Sequence, residues 1–528
     1  MSASTEKKNR RIAREQGLDK KVNAAQEQAA QKAKNKRNWT IVSVIVAILI
    51  VAVLVANTGF YYNTTTAMEV NGKTYSPADV NYRYASQYVS FLNTYGNYIS
   101  LTGLDTSGGI GGLATQPCSW LNEGEGETWK DYFMLLAKDS MKQTAALVAE
   151  AEAQGMSLDD TDKATVDEQL AYAAIEAKNY GFSNLDKYFK ACYGNGVTEK
   201  IVRAALEESI LANKAITAKQ DEITGKYTAD DFSAYYEENL KDSADIMDYA
   251  QYFVAAEKIE QTTADENGEE VTESVTTEET MAAAKENAEA IVAAFKEGKG
   301  EYFEAFDAAV SSVIPDATAS HNENVTASSV STYFKDWLVS ADRAAGDVEI
   351  FDNPDYGYYV VVYIGRTSND YNTVNIRHIL FMAEADENGE YTDEALAAAK
   401  TKAEEALALF ESGDKTEDSF AALAEEMSED TGSASNGGLY ENVTKGQMVE
   451  EFDAFCFDDA RKPGDTGIVY GNNGGYAGYH VMYYAGQGEV YRDMLAKNEM
   501  VSNELNEWVA SISEDVTVTD GSGIKYVG

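Results

Sequence analysis

The chain is poor in the residues that usually carry metal or thiol chemistry. Its 528 residues include three cysteines and three histidines. Cys118, Cys192 and Cys456 cannot all pair with one another, and no Cys-x-x-Cys motif exists, so a disulfide framework and a cysteine metal site are excluded. A single Cys118–Cys192 bridge stays open. Such scarcity suits an extracytoplasmic protein that does not depend on disulfides. Three histidines are too few for a histidine-rich metal centre, so no metal and no cofactor is indicated. Basic residues are scarce too: 43 Lys and Arg stand against 88 Asp and Glu, a formal charge of −45. Nucleic-acid binding by the main body is thereby disfavoured, because phosphate contacts need clustered cations. The acidity fits a soluble, self-repelling body or one that attracts basic clients.

The one basic region is residues 1–38, with eleven Lys and Arg against four Asp and Glu. An apolar run from Ile41 to Ala56 follows, with Trp39 before it and Phe60, Tyr61 and Tyr62 after it. Its length of about 20 residues suffices for one bilayer crossing. Lys36 and Arg37 at its start place the N-terminus in the cytoplasm by the positive-inside rule. Val55-Ala56-Asn57 is a poor cleavage site and the basic lead is long for a signal peptide. The expectation is therefore a cytoplasmic tail over 1–38, an uncleaved transmembrane helix over 39–62, and a cell-membrane protein whose main body lies outside the cytoplasm.

A length of 528 residues implies about three domains beyond that anchor. Residues 63–244 read as helical, after a strand, an Asn71-Gly72 turn and a second strand that lead to a helix start at Ser76-Pro77. The Gly-rich stretch Ser107 to Leu113 lacks a following Gly-Lys-Ser/Thr and is a loop. The remainder contains an internal repeat. Phe334-x-x-Trp337, Arg343 and Gly346-Asp347 recur at a constant offset as Phe452-x-x-Phe455, Arg461 and Gly464-Asp465. Tyr363-Ile364-Gly365 recurs as Tyr484-Ala485-Gly486 at an offset three residues larger, which implies an insertion. Each copy reads strand, turn, long Ala-rich helix, Gly/Ser loop, short helix, strand, strand. The fold class is α+β, with helices on small, mostly antiparallel sheets. The domains are 245–370 and 371–490, with a C-terminal extension over 491–528.

Five ordered blocks in the second copy resemble the parvulin (PpiC-type) prolyl isomerase family. They are Asn375-Ile376-Arg377-His378-Ile379-Leu380-Phe381; Phe420-Ala421-x-Leu423-Ala424-x-x-x-Ser428-x-Asp430; Gly432-Ser433-Ala434-x-Asn436-Gly437-Gly438; Gly446-Gln447-Met448-Val449-x-x-Phe452; and Gly478-Tyr479-His480-Val481-Met482. The resemblance implies that His378 and His480 form a hydrogen-bonded pair beneath the site and that Asp430 sits near the substrate carbonyl. It also implies that Met448 and Phe452, with Phe455, bind the proline. Two departures stand out. The usual Gly-Gly-Asp-Leu-Gly run is Gly437-Gly438-Leu439-Tyr440-Glu441 here, and Ala477 replaces the aromatic or hydroxyl residue that commonly precedes Gly-Tyr-His. In the first copy Gln251 stands for His378, Tyr359 for His480 and Val330 for Met448, so that copy reads as a degenerate, inactive module; His321 reads as a surface residue of a polar loop. Val70-Asn71-Gly72 and the helices after it resemble the chaperone region of PrsA/SurA-type foldases.

The chemistry fits these residue types. Rotation about a prolyl bond crosses a barrier of about 18–20 kcal/mol without any bond to a nucleophile. It calls for an apolar pocket, polar groups near the carbonyl and exclusion of water. The resemblance implies a membrane-anchored isomerase and chaperone for unfolded or partly folded secreted polypeptides, with a homodimer left open. The alternatives are a holdase with two silent modules, or a structural envelope protein.

Overall fold

The structure is a computed structural model that describes residues 5–12, 14, 32, 34, 36, 42–47, 60–122, 124–264, 270–387 and 389–528. They divide into two compact units, one of residues up to Glu222 together with Glu504–Gly528, the other Ile223–Asn503.

The expected transmembrane helix is corrected. Among the described residues no helix is long and apolar enough to cross a membrane. Much of 39–62 lies outside the described residues. The aromatics that follow the apolar run have partners near the end of the chain. Tyr61 and Tyr62 each pack on the Tyr526 ring, with centroids 6.0 Å apart, so they belong to the first unit.

In that unit β1 (Met68–Val70) and β2 (Lys73–Tyr75) pair across Asn71-Gly72, which takes the positive φ values such a tight turn requires. Ser76 then caps the helix Pro77–Tyr95 in a reciprocal box with Asp79. Thr128 and Asp131 start the helix Trp129–Ala153 in the same way. Phe91, Trp129 and Phe133 meet edge-on or stacked between these helices and make the centre of the core. The chain ends in the same core. Val518–Asp520 adds a third strand, antiparallel to β1, and Val516 and Val527 are buried beside it. The three cysteines are free thiols, so the Cys118–Cys192 bridge is not made.

The second unit contains two sheets of one topology. The first is built from β3 (Ile246–Ala255), β6 (Ser320–Thr326), β7 (Val348–Asn353) and β8 (Gly357–Thr367), in the order β6-β3-β8-β7. An excursion, β4 (Ile259–Ala264) and β5 (Glu270–Val275), forms its own hairpin. The second sheet is built from β9 (Asn372–Met382), β10 (Leu439–Val443), β11 (Thr466–Asn472) and β12 (Ala477–Val490), in the order β10-β9-β12-β11. All neighbours are antiparallel. The repeat holds at the level of register: Gln251 faces Val361 as His378 faces Met482, and both central pairs carry a bulge at the same step.

Period-two alternation along β9 sorts its side chains. Ile379 and Phe381 face the helices Asp393–Ser412 and Glu417–Met427, where Ala399, Ala403 and Ala406 let the helix approach closely. Val374 and Ile376 face the short helix Glu450–Cys456 on the other side. His378 continues that second face, and so does His480 on β12.

Removal of Glu504–Gly528 should destabilise the first unit by more than about 3 kcal/mol, since two buried valines are each worth roughly 1.5–3 kcal/mol and a strand is lost with them. Urea unfolding followed by tryptophan fluorescence checks this; an unchanged midpoint would contradict it.

Candidate active site

His378 and His480 lie diagonally across β9 and β12, two residues apart in register, because His480 faces Leu380 and His378 faces Met482. Both are almost fully buried. Their rings stack, and the two Nδ1 atoms approach to 2.9 Å. The outer nitrogen of His378, Nε2, lies 2.8 Å from Oδ2 of Asp430, and the outer nitrogen of His480 lies 2.9 Å from the Tyr476 hydroxyl.

Asp430 sits in the loop after the helix Glu417–Met427, and Leu380 and Ser428 pin that loop to β9. Its Oδ2 accepts from the Ser433 hydroxyl at 2.6 Å and the Tyr440 hydroxyl at 3.1 Å, and its Oδ1 accepts from the Gly432 amide. Hydrogen bonding from His378 foremost, opposed by burial and aided by Ser433, holds this carboxyl well below the usual carboxylate range. Burial above all, with His378 beside it, pushes the His480 imidazole down to about 3.

With both rings neutral, one proton order satisfies every contact. A carboxylate only accepts, so Nε2 of His378 carries a proton toward Asp430. In the neutral ring Nδ1 of His378 is then an acceptor, and the facing Nδ1 of His480 must be the donor. That leaves Nε2 of His480 as an acceptor for the Tyr476 hydroxyl. Every ring nitrogen is thus satisfied with both histidines neutral.

Above this chain opens a cavity of about 400 Å³. Leu380, Met448, Val449 and Phe452 give it apolar walls, while His378, Asp430, Tyr440, Tyr476 and His480 supply the polar ones. Phe452 meets both histidine rings edge-on. Five of the six residues singled out from the sequence therefore converge: His378, Asp430, His480, Met448 and Phe452. Phe455 does not. One turn further along its helix, it lies against Gly467 under the Arg461 guanidinium, which is 3.8 Å from its ring centroid, and it is core rather than wall.

The glycine loop is held by steric need. Gly438 has φ +69°, and a Cβ there would lie 2.1 Å from the carbonyl oxygen of His378. Tyr440 and Tyr476 were missed as site residues from sequence, although Tyr440 lies within the first departure noted and Tyr476 directly precedes the second, Ala477. In the first module Gln251 and Tyr359 occupy the places of the histidines, and the buried Gln251 Oε1 has no hydrogen-bond partner. His321 stands on β6 rather than in a loop, with Nε2 3.0 Å from an Asp307 carboxylate oxygen and its ring stacked on Phe303.

Residues 361–482 match the PPIC-type PPIASE domain, so this part of the chain belongs to the parvulin family and the chain carries a peptidyl-prolyl isomerase domain. Among solved structures the chain is similar to PrsA from Bacillus subtilis, at 15% identity over 74% of this chain and 88% of that one, with a TM-score of 0.26. It is also similar to a peptidylprolyl isomerase (PrsA) from Bacillus anthracis, at 21% identity over 30% of this chain and 61% of that one, TM-score 0.16. A SurA-like chaperone from Campylobacter jejuni matches at 25% identity over 27% of this chain and 52% of that one, TM-score 0.15. No curated protein matches the chain.

Two outcomes follow. Gly438→Ala should abolish a stably folded second module, read as loss of its cooperative unfolding step; retention of that step would refute the steric account. His480 is depressed when folded, so the unfolded chain holds more protons between about 3 and the ordinary 6.5. Its contribution to stability is complete above 6.5 and is lost as pH falls through that window; Asp430 adds a loss at lower pH, below its ordinary 3.8. Urea midpoints measured across pH should therefore slope between 6.5 and 3, and the slope should flatten in His480→Gln.

Proposed function

We propose that the cavity over His378, Asp430 and His480 catalyses prolyl cis/trans isomerisation in unfolded or partly folded polypeptides. The observation that carries this reading is the convergence of a buried, fully hydrogen-bonded charge chain on an apolar cup. Met448, Phe452 and Leu380 hold the proline ring, and the preceding carbonyl swings over Asp430.

Amide resonance places negative charge on the carbonyl oxygen and double-bond character in the C–N bond. A fixed anion near that oxygen opposes the charge separation, so it weakens the double-bond character and lowers the rotational barrier. Asp430 already accepts hydrogen bonds from His378, Ser433, Tyr440 and Gly432, which suits a charge held in place rather than a base or nucleophile. The hydrogen bond from His378, itself backed by His480, keeps that carboxylate oriented. Water is displaced as the apolar walls close on the ring, which strengthens the effect.

A wider role as a folding helper is supported by exposed apolar side chains in the first unit. Tyr98, Leu101, Tyr172 and Tyr180 are each at least two-thirds exposed, within a strongly acidic body suited to basic clients. A holdase with both modules silent is the competing reading.

The full chain should accelerate a proline-limited refolding reaction. Asp430→Ala should lower kcat/KM by about 10²-fold, the size expected for removal of one preorganised electrostatic group, and Gln251→Ala in the first module should leave it within twofold. Equal rates for the wild type and Asp430→Ala would sink the catalytic reading; suppressed client aggregation without isomerisation would favour the holdase.

A further inference from the structure

We infer that Tyr476, on a hairpin extension present in the second module alone, is a positioning residue that sets the proton order of the histidine pair. The inference rests on the isomerase reading of the site and deepens it.

Comparison within the chain locates the feature. In the first module Asn353 pairs with Gly357 and the hairpin closes there. The corresponding pair in the second module is Gly471 with Gly478, but the strands continue through Asn472 and Ala477, and the loop beyond them carries Tyr476. The extension accounts for the three-residue offset in the repeat. The module that keeps both histidines is therefore also the one that gained this loop. Ala477 leaves the second histidine without a hydroxyl neighbour at the expected place, and Tyr476 supplies one from the adjacent position.

Room has been made for the contact. Gly471 lies beneath it, and a Cβ at that position would sit 2.5 Å from Nε2 of His480 and 2.9 Å from the Tyr476 hydroxyl. Gly471 is not in the left-handed backbone region, so its value lies in the space it leaves. Burial, with the Asp430 charge as a lesser cause, raises the Tyr476 phenol and keeps it a donor.

The consequence follows from counting donors. Nε2 of His480 is buried, and a lone pair that accepts the Tyr476 O–H is not free to take a proton from solvent. His480 then stays neutral and directs its only N–H at His378, which in turn directs its own at Asp430. The groups that face His480 are His378 from β9, Asp430 from the loop after Glu417–Met427, and Tyr476 itself; Phe452 contributes only an apolar ring. Ser433 and Tyr440 act one step away, on Asp430. Without the Tyr476 hydroxyl, Nε2 of His480 becomes the easiest point of protonation. A positively charged His480 would keep the single proton between the facing Nδ1 atoms but place a buried positive charge behind His378, which offsets the anion that Asp430 presents to the substrate.

The test uses the scarcity of histidine. With three histidines in the chain, ¹⁵N-histidine labelling of the full-length protein gives three imidazoles, and His321 serves as an internal reference. The wild type should show His378 protonated at Nε2 and His480 at Nδ1. Tyr476→Phe, which keeps the ring and so the packing, should protonate His480 at a higher pH. It should also lower kcat for prolyl isomerisation about three- to tenfold at neutral pH, the size of one hydrogen bond, and leave KM within twofold. The acid limb of its kcat–pH profile should move upward. Gly471→Ala should produce the same displacement by interposing a methyl group, with the tyrosine intact. An unmoved acid limb in both variants, or wild-type spectra with the opposite tautomers, would overturn the inference. The spectra do not require turnover, so a wild-type chain without isomerase activity would defeat the functional reading while the proton order was still decided.

Discussion

Two imidazole nitrogens that face each other at 2.9 Å can share one proton and no more. Everything else about the site is arranged around that limit. With both Nδ1 atoms protonated the rings would repel, and with neither protonated two buried lone pairs would collide. When both rings are neutral, one proton between them makes the outer nitrogens differ, one a donor and one an acceptor. Asp430 takes the donor side and Tyr476 the acceptor side, so the chain has a single direction from phenol to carboxylate. Burial then does the rest at the far end, because a proton added to His480 would be a charge held away from water.

The backbone imposes the same constraint from below. His378 and His480 can meet only because they sit on one face of adjacent antiparallel strands, a diagonal step apart. A one-residue slip of either strand would send one ring to the opposite face, among Ile379, Phe381 and Val481. The bulge between Tyr484 and Gly486 and the close approach of Gly438 to the His378 carbonyl both act as register pins. The same bulge recurs between Tyr363 and Gly365 in the module that has no histidines, so the pin belongs to the scaffold and the proton chain was set upon it.

This explains which parts were legible in the sequence. The repeat could be read because sheet register converts directly into sequence offset: Phe334 and Phe452, or Gly346 and Gly464, hold equivalent places in equivalent strands and helices. The α+β architecture and the capped helix starts at Ser76 and Thr128 follow from local pattern. Tyr440 and Tyr476 were harder, since a hydroxyl at the end of a phenol reaches a site whose backbone lies elsewhere, and both lie at or next to places where the sequence departs from the family. Phe455 misled for the opposite reason: it shares a helix face with Phe452, but one turn moves it from the cavity wall to the space over Gly467. The return of Val518–Asp520 to β1 had no local signal, because three residues are too few to show a period. The apolar run after Arg37 had a strong local signal, and the described residues do not contain the long helix it suggested.

The contrast between the two modules turns on the polar chain more than on the fold. Replacing His378 by Gln251 and His480 by Tyr359 leaves the sheet order, the bulge and the Phe334 core unchanged. It also leaves Gln251 with a buried, unpartnered oxygen. A scaffold under selection for stability alone would have exchanged that glutamine for an apolar side chain, since an unsatisfied buried amide is costly. The second module avoids such a cost only by completing its network at both ends. Completion needs Ser433 and Tyr440 on the carboxylate, Tyr476 on the imidazole, and a glycine at 471 to let the phenol in. A polar cluster of this kind is worth its burial when every donor finds an acceptor, and the extended hairpin is what closes the last of them.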